Sequence, residues 1–250
     1  MQFPRGIGSL RALQELSQLD VEDSSKDAIK ELAKLTQLRK LGVGVGWLSQ
    51  EREEDLCNAL KAMSNSLRSI YIFSSSTLAF LHNIQESPPL LLENLSLHGA
   101  LERLPSWISS LRNVAKIRLA GSELGQDAIQ ELGTLPNLVC LRMYYGYKGE
   151  RLSFATGGFP SLKVLDLSGV SASSMSFQEG ALPRLELLKM HSCYQLETRR
   201  ISISGIENLS VLRKLDIREV HEDDAEAITA QVNKHPNHPS LAATKMSRDE

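Results

Sequence analysis

The apolar residues of this chain fall into a recurring phrase: two intervals of three residues, then one of two. Phe159, Leu162, Leu165 and Leu167 show it most clearly. The closing interval alternates apolar and polar positions with period two, which predicts a short half-buried strand. Leu13, Leu16, Leu19 and Val21 open the series, with an earlier register from Ile7 or Leu10 also open. Leu35, Leu38, Leu41 and Val43 follow, then a shorter copy at Leu67, Ile70 and Ile72. Pro89, Leu92, Leu95, Leu97 and Leu111, Val114, Ile117, Leu119 continue it. After Leu135, Leu138, Leu141, Met143 comes the copy at 159–167. Leu182, Leu185, Leu188, Met190 and Leu209, Leu212, Leu215, Ile217 complete a set of nine.

The third positions fall at 19, 41, 70, 95, 117, 141, 165, 188 and 215, so the steps are 22, 29, 25, 22, 24, 24, 23 and 27 residues. A period of about 20–29 residues ending in a short strand is that of leucine-rich repeats. Burying four aliphatic side chains falls well short of the entropy lost in ordering one such repeat, so the copies must stack. The pattern predicts an α/β leucine-rich-repeat solenoid of about nine repeats. It is a horseshoe with a parallel concave β-sheet and an irregular or helical convex side.

Between strands, residues 27–35 predict a helix with Ile29, Leu32 and Ala33 on one face and Ser25 as N-cap. Residues 127–135 repeat it: eight of fifteen positions are identical between 27–41 and 127–141, which points to duplication. Residues 49–63 hold Leu56, Ala59, Leu60 and Met63 at helical spacing, with Glu51, Glu53, Glu54 and Asp55 where the helix dipole favours them. The return at Leu104-Pro105-Ser106-Trp107-Ile108 predicts an extended or single-turn crossing. The small polar stretch 171–176 predicts a loop. The acidic run 222–224 predicts a solvated helix start, the helix breaking before Pro236. The domain reading is a solenoid over 1–221, then a capping helix and frayed tail over 222–250, frayed from 239. No cap is visible at the N-terminal end, so the expectation is a fragment of a longer protein or a truncated gene product.

Composition narrows the chemistry. Aromatics are 5% of the chain, so the core is aliphatic. The net charge of -2 makes no case for nucleic acid as partner. No apolar run approaches transmembrane length, and no signal peptide is expected. Cys57, Cys140 and Cys193 are odd in number and far apart, which fits reduced thiols rather than a disulfide framework. The sequons at Asn94 and Asn208 then read as coincidence.

Candidate catalytic and ligand-binding groups do not converge. Gly42, Gly44 and Gly46 lie in and after a strand without the spacing of a dinucleotide loop; they open space for Trp47 or a bulge. His235 and His238 lack further metal ligands. Cys140 and His191 stand two strands apart, too far for a thiol and its base. No enzyme, metal or cofactor is expected.

The informative positions lie between the leucines, which alternation turns to the concave face. One column runs Asp20, Gly42, Tyr71, Ser96, Arg118, Arg142, Asp166, Lys189, Asp216. The next runs Gly44, Phe73, His98, Ala120, Tyr144, Ser168, His191, Arg218. Tyr71, Phe73, Tyr144 and Tyr145 are aromatics that packing does not require. Lys116, Arg118, Arg142 and Lys189 form a candidate basic strip. Aromatics with arginine are the residues that dominate protein-binding hot spots. The candidate protein-binding face is therefore Tyr71, Phe73, His98, Lys116, Arg118, Arg142, Tyr144, Tyr145, Asp166, Lys189, His191, Asp216 and Arg218. Asp166 is expected to face out between Arg142 and Lys189.

Several links between repeats carry a resemblance. Leu101-Glu102-Arg103-Leu104-Pro105-Ser106-Trp107-Ile108-Ser109-Ser110-Leu111 resembles the L-x-x-L-P-x-W-I-x-x-L link of the leucine-rich-repeat region of plant nucleotide-binding immune receptors. Gly158-Phe159-Pro160-Ser161-Leu162 and Ala181-Leu182-Pro183-Arg184-Leu185 resemble that family's approach into a strand. Met190-His191-Ser192-Cys193-Tyr194-Gln195-Leu196 resembles its cysteine-bearing strand exit. Asn233-Lys234-His235-Pro236-Asn237-His238-Pro239 resembles the ending common in grass members with a coiled-coil N-terminus.

The resemblance implies a cytoplasmic or nucleo-cytoplasmic binding domain. It would restrain a receptor when idle, by intramolecular contact with a nucleotide-switch domain, and recognise a pathogen effector or a guarded host protein. The chain itself has no G-x-x-x-x-G-K-[ST] loop, so it cannot carry out nucleotide switching. It departs from the usual Asn or Cys after each strand, with Gly46, Ser75, Ala100, Ser122 and Gly146 there instead. The main alternative is a stand-alone repeat adaptor, such as the substrate-recognition arm of a ubiquitin ligase. An extracellular ectodomain would need paired cysteines and occupied sequons.

Overall fold

The computed structural model describes residues 6–21, 26–191 and 200–245. The N-cap expected at Ser25, the strand exit at 192–196 with Cys193, and residues 246–250 of the tail lie outside the described residues. The chain divides into two compact units, Met1–Ser122 and Glu123–Glu250, each described by itself.

In the first unit, five strands pair in parallel and in chain order: β1 (Glu15–Asp20), β2 (Lys40–Val45), β3 (Ser69–Thr77), β4 (Asn94–Ala100) and β5 (Lys116–Ala120). Register holds the leucine positions opposite one another: Leu41 faces Ile70, Ile70 faces Leu95, and Leu95 faces Ile117. All four are buried. The returns change character along the unit. Helix α1 (Lys26–Leu32) and helix α2 (Gln50–Ala62) give way to single 3-10 turns at Ala79–Ile84 and Ser106–Ser110. The longest step has residues to spare for α2, which buries Leu56, Cys57, Ala59 and Leu60. Pro105 is the N-cap residue of the Ser106 turn, and Trp107 is buried with its indole N–H donating to the Leu81 carbonyl at 3.0 Å.

The first copy of the phrase differs from its main expected register. Leu16, not Leu19, stands opposite Leu41, and Leu19 stands opposite Val43, with a bulge between them. The strand thus follows the earlier register and absorbs one extra residue, which carries Leu19 inward to the buried layer.

The second unit has two parallel sheets. Helix α3 (Gln126–Gly133) leads into β6 (Cys140–Tyr144). Three further strands of this main sheet alternate with three of another along the chain: β7 (Arg151–Phe154), β8 (Val164–Ser168), β9 (Ser174–Phe177), β10 (Leu187–His191), β11 (Ser202–Ser204) and β12 (Lys214–Val220). Helix α4 (Glu222–Lys234) and β13 (Ser240–Lys245) follow. The main sheet runs β6, β8, β10, β12, β13; the second runs β11, β9, β7.

Three expectations are corrected here. The stretch 171–176 is not all loop: Ser174–Phe177 is a strand. Met175 and Phe177 alternate inward while Ser174 and Ser176 stay partly exposed, and Phe177 stacks on Phe154 at 5.2 Å. The tail is not frayed from 239: Leu241 stands opposite Leu215, so α4 is the return of a further repeat rather than the end of the solenoid. The acidic run is not wholly solvated. Asp224 is buried, taking a 2.7 Å hydrogen bond from Arg200 Nε and a 2.8 Å bond from the Ile201 N–H. Among the described residues, no helix is long and apolar enough to cross a membrane.

The second sheet is closed at both sides by glutamine. On β7, the Gln126 amide donates to the Ser153 carbonyl at 2.7 Å and accepts from the Ser153 N–H at 2.9 Å. On β11, Gln231 donates to the Ile203 carbonyl at 2.8 Å. Each side chain occupies backbone groups that would otherwise invite another strand.

Candidate functional site

Strand alternation sends the leucines to the buried layer and the residues between them to the opposite face of each sheet. What stands on that face differs between the units.

In the first unit, β2 presents Gly42 and Gly44 between the Asp20 end of β1 and the aromatics Tyr71 and Phe73 of β3. The missing side chains leave a groove of about 620 Å³ over the β2 backbone, walled by Ser17 and Asp20 on one side and Tyr71 and Phe73 on the other. Tyr71 is 42% exposed and Phe73 49%. Of the two expectations for these glycines, room for Trp47 fails, because Trp47 is itself 75% exposed, whereas a bulge does lie beside them, on β1 between Leu16 and Leu19 opposite Gly42. Behind the aromatics, His98 on β4 sets its ring 5.2 Å from Tyr71 and 6.4 Å from Phe73. Burial, then the nearby Arg118 charge, holds the His98 pKa below its ordinary value. His98 Nε2 and Ser96 Oγ are buried without hydrogen-bond partners. Lys116 and Arg118 occupy β5, Lys116 the more exposed.

In the second unit, register aligns Arg142, Asp166, Lys189 and Asp216 in one row, and Tyr144, Ser168, His191 and Arg218 in the next. Within this unit the signs alternate, so Arg142 and Lys189 do not form a basic strip. Asp166 lies on the face but does not project from it. It is 6% exposed and accepts hydrogen bonds from Tyr144 at 3.3 Å and Ser168 at 3.0 Å. Asp216 is equally covered, with Arg218 Nε donating at 3.0 Å. That hydrogen bond outweighs the burial that opposes it and holds the Asp216 pKa below the usual carboxylate value; it raises that of Arg218 in turn. Arg142 Nε and His191 Nε2 are buried without a hydrogen-bond partner. Tyr145 follows β6 in a left-handed conformation, φ 50°, and is 65% exposed.

The structure thus places all thirteen expected residues on or beside this face, five in the first unit and eight in the second, and it brings together Tyr71, Phe73 and His98 around one ridge. Cys140 and His191 are two strands and four residues apart, on the order of 10 Å across and 13 Å along the sheet. His235 is fully buried and accepts the Asn237 N–H at 3.1 Å through Nδ1, a turn-forming role. Asn208 of the second sequon donates to the Phe177 carbonyl at 2.9 Å. Among the described residues, no cluster of three or more His, Cys, Asp or Glu is placed to hold a metal. Sequence reasoning placed Asp20, Gly42 and Gly44 in the face columns and missed the groove they make. The signal was there: two glycines in alternate positions on one strand, opposite two aromatics on the next.

Comparison with known proteins gives a consistent result. The model of a family described as leucine-rich repeat region matches residues 1–241. The chain is 32% identical over 237 residues to the disease resistance protein RPM1 of Arabidopsis thaliana, covering 91% of this chain and 24% of that protein. It is 27% identical over 250 residues to the disease resistance protein PIK6-NP of Oryza sativa subsp. japonica, covering 89% and 23%. It is 28% identical over 259 residues to RGA5 of the same rice, covering 94% and 23%. The chain therefore spans about a quarter of the length of the curated relatives it matches.

Proposed function

This chain belongs to the leucine-rich repeat region family, and on that premise we propose that it is the protein-recognition region of a plant nucleotide-binding immune receptor. In that role it binds a pathogen effector or a guarded host protein and, in the idle state, contacts a nucleotide-switch domain elsewhere in the receptor. The observation that carries the reading is the exposed ridge of Tyr71 and Phe73 beside the groove. Large aromatics left half in water on a rigid sheet suit a binding role better than a packing one. A ligand that replaces the intramolecular contact shifts the receptor's equilibrium by its differential affinity for the two states.

The test is a receptor carrying this region with Arg118→Glu and Arg142→Glu. Both side chains are on the strand face and outside the leucine layer. The isolated region is expected to melt as before, while the receptor becomes constitutively active or loses its response. An unchanged response with an unchanged melting curve would overturn the reading.

A further inference from the structure

The groove over β2 has a property that the fold does not explain. A glycine inside a strand weakens it and usually answers a need of the backbone. Gly44 answers none. Its φ is outside the left-handed region, and an added Cβ would meet nothing nearer than the Leu19 carbonyl oxygen at 3.6 Å, an ordinary contact. The backbone would accept a Cβ there, and a side chain carried on it would enter the groove. A strand glycine of this kind marks the close approach of another group.

The walls say what kind of group. At the level of Gly44, register sets Asp20 on one side and Phe73 on the other, with Tyr71 one step back beside Gly42. Asp20 and Phe73 are two strand spacings apart, roughly 10 Å between backbones. Among the described residues the lining includes one cation, Lys40, which lies at the opposite end of β2 with Glu15 at 3.6 Å. The charged lining group beside Gly44 is therefore a carboxylate. Asp20 has a contact of its own within the chain, but a carboxylate offers about four acceptor directions. Aromatic faces opposite a carboxylate, over a floor of bare backbone, match a flat cation: one side stacks on a ring, and the edge donates to the acid.

We propose that this groove is a subsite for an arginine side chain presented by a protein partner, an inference that rests on the interaction reading above. The guanidinium sits over Gly42 and Gly44, sets one face against the aromatic wall of Tyr71 and Phe73, and donates from its edge to Asp20. The experiment is a titration of the isotopically labelled 250-residue chain with N-acetyl-arginine amide, followed by the amide resonances of Gly42 and Gly44. N-acetyl-leucine amide and N-acetyl-tryptophan amide serve as comparison probes. Arginine is expected to shift both glycine resonances with an apparent Kd of roughly 1–10 mM, the range open to a single side chain. Leucine and tryptophan should bind at least about tenfold more weakly, a difference of about 1.4 kcal/mol. Asp20→Asn should weaken arginine binding severalfold. Gly44→Val should abolish it while Tm holds or rises. A stronger response to leucine or tryptophan, no response to any probe, or a Tm several degrees lower in Gly44→Val would each overturn the proposal. The receptor carrying Arg118→Glu and Arg142→Glu reads the general interaction through other residues, so a failed titration and a failed receptor assay are separate results.

Discussion

The two units share one backbone plan and turn different faces to solvent. On the first, glycines and aromatics leave a groove and an exposed ridge. On the second, acids and bases alternate in the row and the acids are hydrogen-bonded within the chain: Tyr144 and Ser168 donate to Asp166, and Arg218 donates to Asp216. A polar group already paired within the chain gains little from a partner, because binding must first undo what it has. Half-exposed aromatics gain from any partner that removes them from water. The difference teaches that a column of charges on a repeat face is not in itself a binding surface. Its internal hydrogen bonds must be counted first.

The largest effects should come from the layer common to both units. Leu165→Asp places an unpaired charge at a fully buried position, and about 4 kcal/mol or more of stability should be lost in urea unfolding. A native unfolding curve for that variant would mean the register is wrong. Leu95→Asp in the first unit should behave alike, since Leu95 is buried at the same position of the repeat.

Next come the acids of the second face. Asp166→Ala and Asp216→Ala each remove the acceptor of a covered hydrogen bond and should cost about 1–3 kcal/mol. Asp216 also predicts a pH dependence. The Arg218 hydrogen bond depresses its folded pKa, so the folded state keeps the charge at a pH where the unfolded chain has taken up a proton. The stability it contributes is complete above the unfolded value of about 4 and is lost as pH falls through the lower folded value. Asp216→Asn should flatten the acid side of the stability curve below about pH 4. A curve that superimposes on the parent's would remove Asp216 from the account.

Gln126→Ala and Gln231→Ala should each cost about 1 kcal/mol. Hydrogen exchange at the Ser153 amide should quicken in Gln126→Ala alone, since Gln231 serves the other side of the second sheet. Tyr71→Ala with Phe73→Ala should cost less than either acid variant, within about 1 kcal/mol, because both rings are already half in water. If the aromatic pair instead proves the costlier change, the contrast between the faces is inverted. The smallest effect concerns His98. Its lowered pKa means that the folded state resists protonation, so stability should decline slightly as pH falls below the unfolded value of about 6.5. Arg118→Ala should move the His98 titration midpoint upward by only part of the shift, since burial is the larger cause.

Period alone made the main sheets legible. Leu41, Leu95, Leu141 and Leu188 are buried where the repeated phrase puts them, because a layer of stacked aliphatic side chains has one economical solution. Two regions escaped for the same reason: their signals are shorter than a repeat. Ser174–Phe177 carries a strand pattern of only four residues inside a polar stretch, and it becomes a strand through pairing with β7 and β11. Ser240–Lys245 offers one leucine, and β12 supplies the rest of its order. The face residues were legible as positions. Which of them remain open was not, since Asp166 is covered by neighbours 22 residues away and 2 residues away, Tyr144 and Ser168.

The sequence by itself determined the repeat, the buried layer and the side of the strand on which each residue stands. These follow from local periodicity, which any short window of the chain carries. Tertiary structure decided the bulge that sets Leu19 opposite Val43, the second sheet with its glutamine-closed sides, and the contrast between an open groove and a paired lattice. Those depend on what the neighbouring repeat presents at the same register, and the distance along the chain to that neighbour is a full repeat.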